Sequence, residues 1–458
     1  MAEFVGNLLV AQSGGPTAVI NASLAGVIEE AGKHPEIEEI YGGRNGLLGI
    51  LNEELIDLNE ERARSIEHLK HTPGAALGTC RYKIGINNDL AKAAEDMDRL
   101  FEVLKAHNIR YFFYAGGNDS QDTANKLHKE TIKRGYEVRV IGVPKTIDND
   151  LPHTDHCPGY GSVIRYNSAT VREVALDLSS MATDDGSCCI IEVMGRSAGW
   201  IAAGTVLAKQ HPEDAPHIIL LPEIPFAEKA FIDRVKAILA THEYCVVVVG
   251  EGLKNEAGEQ VSVDHTRVDA FGHPLLSGVA DHLASIVSIA LGTKTRTVKL
   301  GYAQRSAAHF ASSRDIEEAV ACGAAAVQAA VDGKSGLMVK IIRRSNDPYE
   351  WVTGLQSLDD IANVEHLIPR EWISEDGFVP NENFIQYARP LIEGQFDIPL
   401  ENGLPKYVKL DKIPVEKKLP PRGEPAAESS GTEPVPAVDP APQLEPASGS
   451  PAVESAGS

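Results

Sequence analysis

A lysine, a threonine and two aspartates fall close together in Pro144-Lys145-Thr146-Ile147-Asp148-Asn149-Asp150. Lys can hold the charge of a phosphate. A carboxylate can take the proton of an attacking hydroxyl. A polar turn rich in Asp and Asn would show the same letters, so the segment needs company before it means chemistry. Ser13-Gly14-Gly15-Pro16-Thr17 stands between an apolar run and a helical pattern. Glycines there let backbone N–H groups and a helix N-terminus face an anion. No GKS or GKT follows, so this is not a Walker A loop. Ala115-Gly116-Gly117-Asn118-Asp119-Ser120 repeats the arrangement. Asp119 and Ser120 suit a helix N-cap, but an Asp there also puts its charge where a phosphate would sit. Further on come Glu192-Val193-Met194-Gly195-Arg196, then Gly250-Glu251-Gly252, then Arg296 with Gly301-Tyr302-Ala303-Gln304-Arg305. The last supplies two Arg residues around a short strand, suited to gripping a phosphate bidentately.

What must position these motifs is a set of short apolar runs: NLLVAQ, RYFFYA, VRVIGV, CCIIEVM, HIILLP, YCVVVVG and TVKLGYA. Amphipathic patterns such as DSQDTANKLHKETIKR lie between several of them. Continuous apolar strands alternating with helices predict parallel sheets covered on both faces. Some 400 residues of this pattern exceed one sheet and predict two α/β domains. Ligands in such folds bind beyond the carboxyl ends of the strands, which is where all six motifs lie.

The composition excludes other classes. The chain has 458 residues and a net charge of -22, which disfavours nucleic acid and anionic membranes. A phosphate-binding chain this acidic must gather its cations locally, and Arg81, Lys83, Lys145, Arg196, Arg296 and Arg305 are the candidates. No apolar run approaches the ~20 residues of a membrane span. The start lacks the basic and apolar regions of a secretory signal. A soluble cytoplasmic protein is expected. Six cysteines without a CxxC pair make no disulfide framework. Cys245 reads as a buried thiol and Cys80 as a spectator beside candidate site residues. His153 and His156 are close enough to share a metal, but nothing completes a zinc site, and they read as loop histidines. Residues 419–458 contain nine Pro, no aromatic residue and six acidic residues against one basic, and are expected to be a disordered acidic tail.

Taken together, SGGPTAVINA, LGTCRYK, GGNDS, PKTIDND, MGR, the Glu of GEG and R…GYAQR resemble the phosphofructokinases in type and order, from about residue 6 to about 340. The resemblance implies two Rossmann-like three-layer domains with mostly parallel sheets and an active site in the cleft between them. It implies a phosphate-donor domain of 1–160 plus about 306–365 and a sugar-phosphate domain of 161–305 plus about 366–412. The family transfers a phosphoryl group to the 1-hydroxyl of fructose 6-phosphate. ATP-using members carry glycine at the places of Asp119 and Lys145, and this chain resembles the pyrophosphate branch instead. A carboxylate at 119 would repel and block the inner phosphate of a nucleotide.

Carried over by position, the resemblance implies that Asp148 is the base, with Lys145 and Asp119 beside it. Gly15, Arg81, Lys83 and Lys145 would hold pyrophosphate. Thr146, Ile147, Asp148, Met194, Gly195, Arg196, Glu251, Arg296, Tyr302 and Arg305 would hold the sugar phosphate. Mg²⁺ would bridge the pyrophosphate oxygens, with Asn118 at the metal position. The reaction should be reversible and the enzyme a homo-oligomer, dimer or tetramer. Two positions depart from the family pattern: Asn118 replaces the usual Asp, and Ser187 replaces an Arg that reaches a neighbouring subunit. The alternatives are an ATP-dependent 6-phosphofructokinase and a non-catalytic regulatory subunit. An NAD or diacylglycerol kinase type shares the glycine loop but lacks the Arg296/Tyr302/Arg305 set.

Overall fold

The computed structural model describes residues 4–85, 89–183, 186–268, 274–276, 278–361, 364–395 and 397–422. Of the expected tail, 423–458 lies outside the described residues. The strands are β1 (Gly6–Gln12), β2 (Ile37–Gly43), β3 (Leu55–Asp57), β4 (Ile109–Gly116), β5 (Arg139–Pro144), β6 (Ser187–Val193), β7 (Ile218–Leu220), β8 (Tyr244–Gly250), β9 (Val263–Val268), β10 (Pro274–Leu276), β11 (Lys294–Lys299), β12 (Leu337–Asn346) and β13 (Tyr349–Ser357). They build a seven-stranded sheet in the order β13-β12-β5-β4-β1-β2-β3 and a four-stranded sheet in the order β11-β6-β8-β7. β9 and β10 form a separate antiparallel hairpin.

The smaller sheet is parallel throughout. In the larger one only the edge strands β13 and β3 run antiparallel to their neighbours. Helices cover both faces, which is why β1 and the last six residues of β8 are buried along their length. Helix Ile20–Ala31 packs on helix Ser313–Val331. A side chain on Gly26 would stand 2.1 Å from the Val320 carbonyl oxygen, and one on Gly323 2.1 Å from that of Ser23. The two glycines therefore let the helix backbones touch.

β1 lies between β4 and β2, so chain connections leave it in opposite directions. The crevice at such a reversal is where open α/β sheets take ligands. The last part of the chain runs back along the larger sheet. Asp57 N donates to Ile413 O and Val415 N to Leu55 O, at 2.8 and 2.9 Å, so this segment covers the free edge of β3.

Candidate active site

The carboxyl ends of both sheets meet at a cavity of about 870 Å³. Gly15 after β1, Asn118 and Asp119 after β4, and Lys145, Thr146, Ile147 and Asp148 after β5 line one side. Met194 and Arg196 after β6, Glu251 after β8, and Tyr302 and Arg305 after β11 line the other. Arg81 enters from the loop before helix Leu90–Ala106.

Local hydrogen bonds set these loops. Gly14 N donates to Cys80 O at 3.2 Å and Thr79 Oγ1 to Gly14 O at 2.7 Å, joining the Arg81 loop to the glycine loop. Asp148 N donates to Thr146 Oγ1 at 3.1 Å. Asn149 accepts from Cys157 N at 2.9 Å and donates to Tyr387 Oη at 2.8 Å. Gly252 passes so near the Arg196 carbonyl that a side chain would begin 1.7 Å from its oxygen, so only glycine fits after Glu251. Gln304 is buried. Its Oε1 accepts from Met194 N at 3.2 Å, and its Nε2 donates to Gly301 O at 3.0 Å. Arg305 lies over the Tyr302 ring at 4.3 Å and reaches the backbone at Gly15. It thus spans the two sides of the cleft.

Three expected residues are not at the cavity wall. Lys83 Nζ lies 2.8 Å from Asp119 Oδ1 and 3.4 Å from Asp122 Oδ2, turned toward the first turns of helix Asn118–Arg134. Gly195 is buried and its carbonyl accepts from Gly252 N at 3.2 Å, a role in the turn. Arg296 sits opposite Cys189 in the middle of β11. Three residues at about 3.3 Å each put it ~10 Å behind the strand end that feeds the cavity.

The electrostatics are those of a cleft short of water. Burial pulls Lys145 down to about 8, against the pull of Asp148 and Asp150. Burial, with Asp150 and Glu251 nearby, pushes Asp148 up to about 7. Burial also raises Asp150 and Glu251 and lowers Arg305. No group of three or more His, Cys, Asp or Glu among the described residues forms a metal cluster. Asp150 Oδ1 is nevertheless buried without a hydrogen-bond partner among them, and Asp148 is desolvated beside it. The Asp150 carboxylate with the Asn118 amide oxygen makes an oxygen-only donor set, which fits a hard divalent cation. Asn118 Nδ2 is committed to Val364 O at 2.6 Å, which turns the amide about that contact.

Several lining residues were not singled out from the sequence. Asp150 belongs to a recognised motif, and its place on the cavity wall with Oδ1 buried is the new fact. Glu365 comes from the segment 364–368, where His366 N donates to Asp150 O at 2.9 Å. Lys254 and Gln260 bridge to each other just after Glu251 and bring a further cation to the sugar side. None of these three carries a local sequence signal. His156, read as a loop histidine, is buried between Asp155 and Glu318 at 2.8 and 2.7 Å. Tyr349 Oη donates to the same Glu318 at 2.7 Å, and Arg343 pairs with Asp155 at 2.8 Å. This network clamps the far end of the Asp148 loop to β12, β13 and helix Ser313–Val331.

Residues 7–330 match the phosphofructokinase family. A pyrophosphate--fructose 6-phosphate 1-phosphotransferase of Xanthomonas campestris pv. campestris is 47% identical, over 91% of this chain and 98% of its own. One of Halomonas elongata is 46% identical, over 90% and 98%. The crystal structure of a pyrophosphate-dependent phosphofructokinase from Marinobacter aquaeolei superposes with a TM-score of 0.83 at 45% identity, covering 92% of this chain and all of that one.

Proposed function

This chain belongs to the phosphofructokinase family, and on that premise we propose how its own residues move a phosphoryl group from pyrophosphate to the 1-hydroxyl of fructose 6-phosphate. Asp148 accepts the hydroxyl proton, and the hydroxyl oxygen bonds to the near phosphorus of pyrophosphate. The bridging P–O bond breaks, leaving phosphate and fructose 1,6-bisphosphate. Such transfer needs in-line positioning and neutralised charge more than covalent help. Lys145, Arg81 and the glycine loop at Gly15 hold the donor. Arg305, Tyr302 and Arg196 hold the 6-phosphate, Lys254 adds charge on that side, and Glu251, Thr146, Ile147 and Met194 receive the sugar. Lys83 acts through Asp119, holding that carboxylate in the nucleotide's way. Reversal uses the same groups, with Asp148 returning the proton.

Mg²⁺ suits the oxygen pair of Asp150 and Asn118, which leaves Asp148 free to act as base, and, when bound, would offset the charge of the pyrophosphate oxygens. We assign the donor to the lobe of 1–160 and about 306–365 and the sugar phosphate to that of 161–305 and about 366–412. The segment 408–419 goes with the larger sheet, where Leu410 and Leu419 join its cores. The free thiols of all six cysteines support a reducing cytoplasmic setting, and the fructose 6-phosphate reading supports a place in glycolytic sugar-phosphate metabolism. A homo-oligomer, dimer or tetramer, is supported by the open edge of β11 and by Ile289, 86% exposed on the preceding helix.

The observation that carries the reading is Asp148, raised to about 7 beside the buried Lys145 where the two sets of strand ends meet. A donor comparison tests it. Fructose 1,6-bisphosphate formation would be followed at fixed fructose 6-phosphate and Mg²⁺ with pyrophosphate or with ATP. Turnover with pyrophosphate alone is expected, and turnover with ATP alone would overturn the donor assignment.

A further inference from the structure

The loop of residues 79–85 carries Arg81 into the cavity and is fastened at several points. Thr79 holds the glycine loop, Lys83 holds Asp119, and Lys126 Nζ donates to Ile84 O at 3.1 Å. A further tie runs through Tyr82, which also lines the cavity. Its hydroxyl donates to Asp96 Oδ2 on helix Leu90–Ala106. Asp96 is 1% exposed. A buried carboxylate needs a cation, and one without a partner costs several kcal/mol. The cation in contact with its other oxygen is Arg422, 326 residues away in sequence.

Arg422 is itself delivered by a firmly seated strap. Lys418 N and Leu419 N donate to the buried Glu53 carboxylate at 2.6 and 3.0 Å. Lys417 Nζ donates to Asn52 O at 2.8 Å, and Arg99 Nη2 to Pro420 O at 2.8 Å. Lys92, the other cation near Asp96, stands 3.9 Å away and is half exposed, so it cannot replace a direct contact.

We propose that Arg422, acting through Asp96 and the Tyr82 hydroxyl, is a positioning residue for the pyrophosphate-binding loop, so that the strap near the C-terminus sets affinity for the donor. Loss of Arg422 leaves Asp96 under-compensated in its buried site, and the carboxylate then draws on Tyr82 and Lys92. Arg81 sits next to Tyr82, so the donor side shifts, while the 6-phosphate grip of Arg196, Tyr302 and Arg305, built on the other sheet, does not. The inference rests on the donor reading above.

The test uses the full-length enzyme with Arg422→Met, Arg422→Lys and Tyr82→Phe. Initial rates are measured with pyrophosphate varied at saturating fructose 6-phosphate, and the reverse. Arg422→Met should raise KM for pyrophosphate on the order of tenfold, while KM for fructose 6-phosphate stays within about twofold. Arg422→Lys should restore most of the loss. Tyr82→Phe should resemble Arg422→Met, and the double variant should add little, because both act on one carboxylate. An unchanged pyrophosphate KM in Arg422→Met, or equal rises in both KM values, overturns the proposal. If Arg422→Met does not fold, Tyr82→Phe decides on the same two criteria. Wild-type turnover tests the donor reading separately: if ATP is the donor used, the variant-to-wild-type ratio of its KM still decides whether Arg422 positions the loop.

Discussion

Lys145 Nζ donates a hydrogen bond of 2.8 Å to the carbonyl oxygen of Gly15. Two motifs 130 residues apart are thereby tied at the carboxyl ends of β1 and β5. The ammonium is anchored in the glycine loop before any donor arrives, so little side-chain entropy remains to be lost on binding. Replacing Lys145 by Met should lower kcat/KM for pyrophosphate by about 10²–10³-fold, with a smaller change for binding of fructose 6-phosphate. Steady-state kinetics with each substrate varied would check this. Equal loss on both sides would contradict a donor-specific role.

The activity should follow a bell-shaped pH profile. Asp148, held up to about 7, must lose its proton to act as base, and Lys145, drawn down to about 8, must keep its own to hold charge. The kcat/KM should therefore rise through about 7 and fall above about 8, as apparent values of an interacting set. Lys145→Met should remove the alkaline limb. A flat profile from about 6 to 9 would count against both assignments.

Asp148→Asn should cut kcat by about 10²–10⁴-fold. It should also stabilise the fold at alkaline pH. A carboxyl raised above its unfolded value binds more protons folded than unfolded, so stability declines as pH rises from about 4 to about 7. The amide removes that decline. Melting temperatures of the two proteins should differ at pH 8, and that difference should shrink toward pH 4; a constant difference would sink the linkage.

His156 works in a different window. Burial opposes its charge, but Glu318 and Asp155 overcome that and hold it up to about 10. A raised histidine contributes stability that is full below its unfolded value of about 6.5 and lost as pH rises toward 10. His156→Gln should cost about 3–5 kcal/mol near neutral pH, because it leaves Glu318 buried beside a neutral group. Urea titrations across pH 6–10 would show the variant's deficit narrowing on the alkaline side. A deficit independent of pH would rule out a charged His156.

Donor choice should move with Asp119 and Lys145. The double change to Gly at these positions removes the carboxylate from the helix start and releases Lys83 from its 2.8 Å pair. Turnover with ATP should appear, with pyrophosphate turnover falling, in a coupled assay offering each donor in turn. No gain with ATP would show that other contacts exclude the nucleotide.

Much of this was legible in the sequence. β1, β4, β5, β6 and β8 are covered on both faces, so their apolar runs are continuous and easily read. β2 and β12 mix exposed and buried residues and β13 has none fully buried, so their letters carry no comparable signal. The loops after the strands were readable because their chemistry is local. Side-chain direction was not: Arg296 has the right type but lies too far back along β11, and Lys83 turns to Asp119. Glu365, Lys254 and the Asp96–Arg422 pair were invisible because only the fold brings the first two to the cleft and the last two together.

The strap over β3 has a consequence for synthesis. The smaller sheet draws on residues 187–299, a continuous stretch that can close as soon as it emerges. The larger sheet opens with residue 6 but lacks β12 and β13 until 357, and its far edge stays bare until 413–415 arrive. The half of the molecule translated first is thus the last to be finished. Until then it offers an unpaired strand edge to its neighbours on the polysome. A chain that stalls in its final fifty residues should aggregate rather than merely lose activity, because the strand edge it leaves bare is sealed only by 413–415.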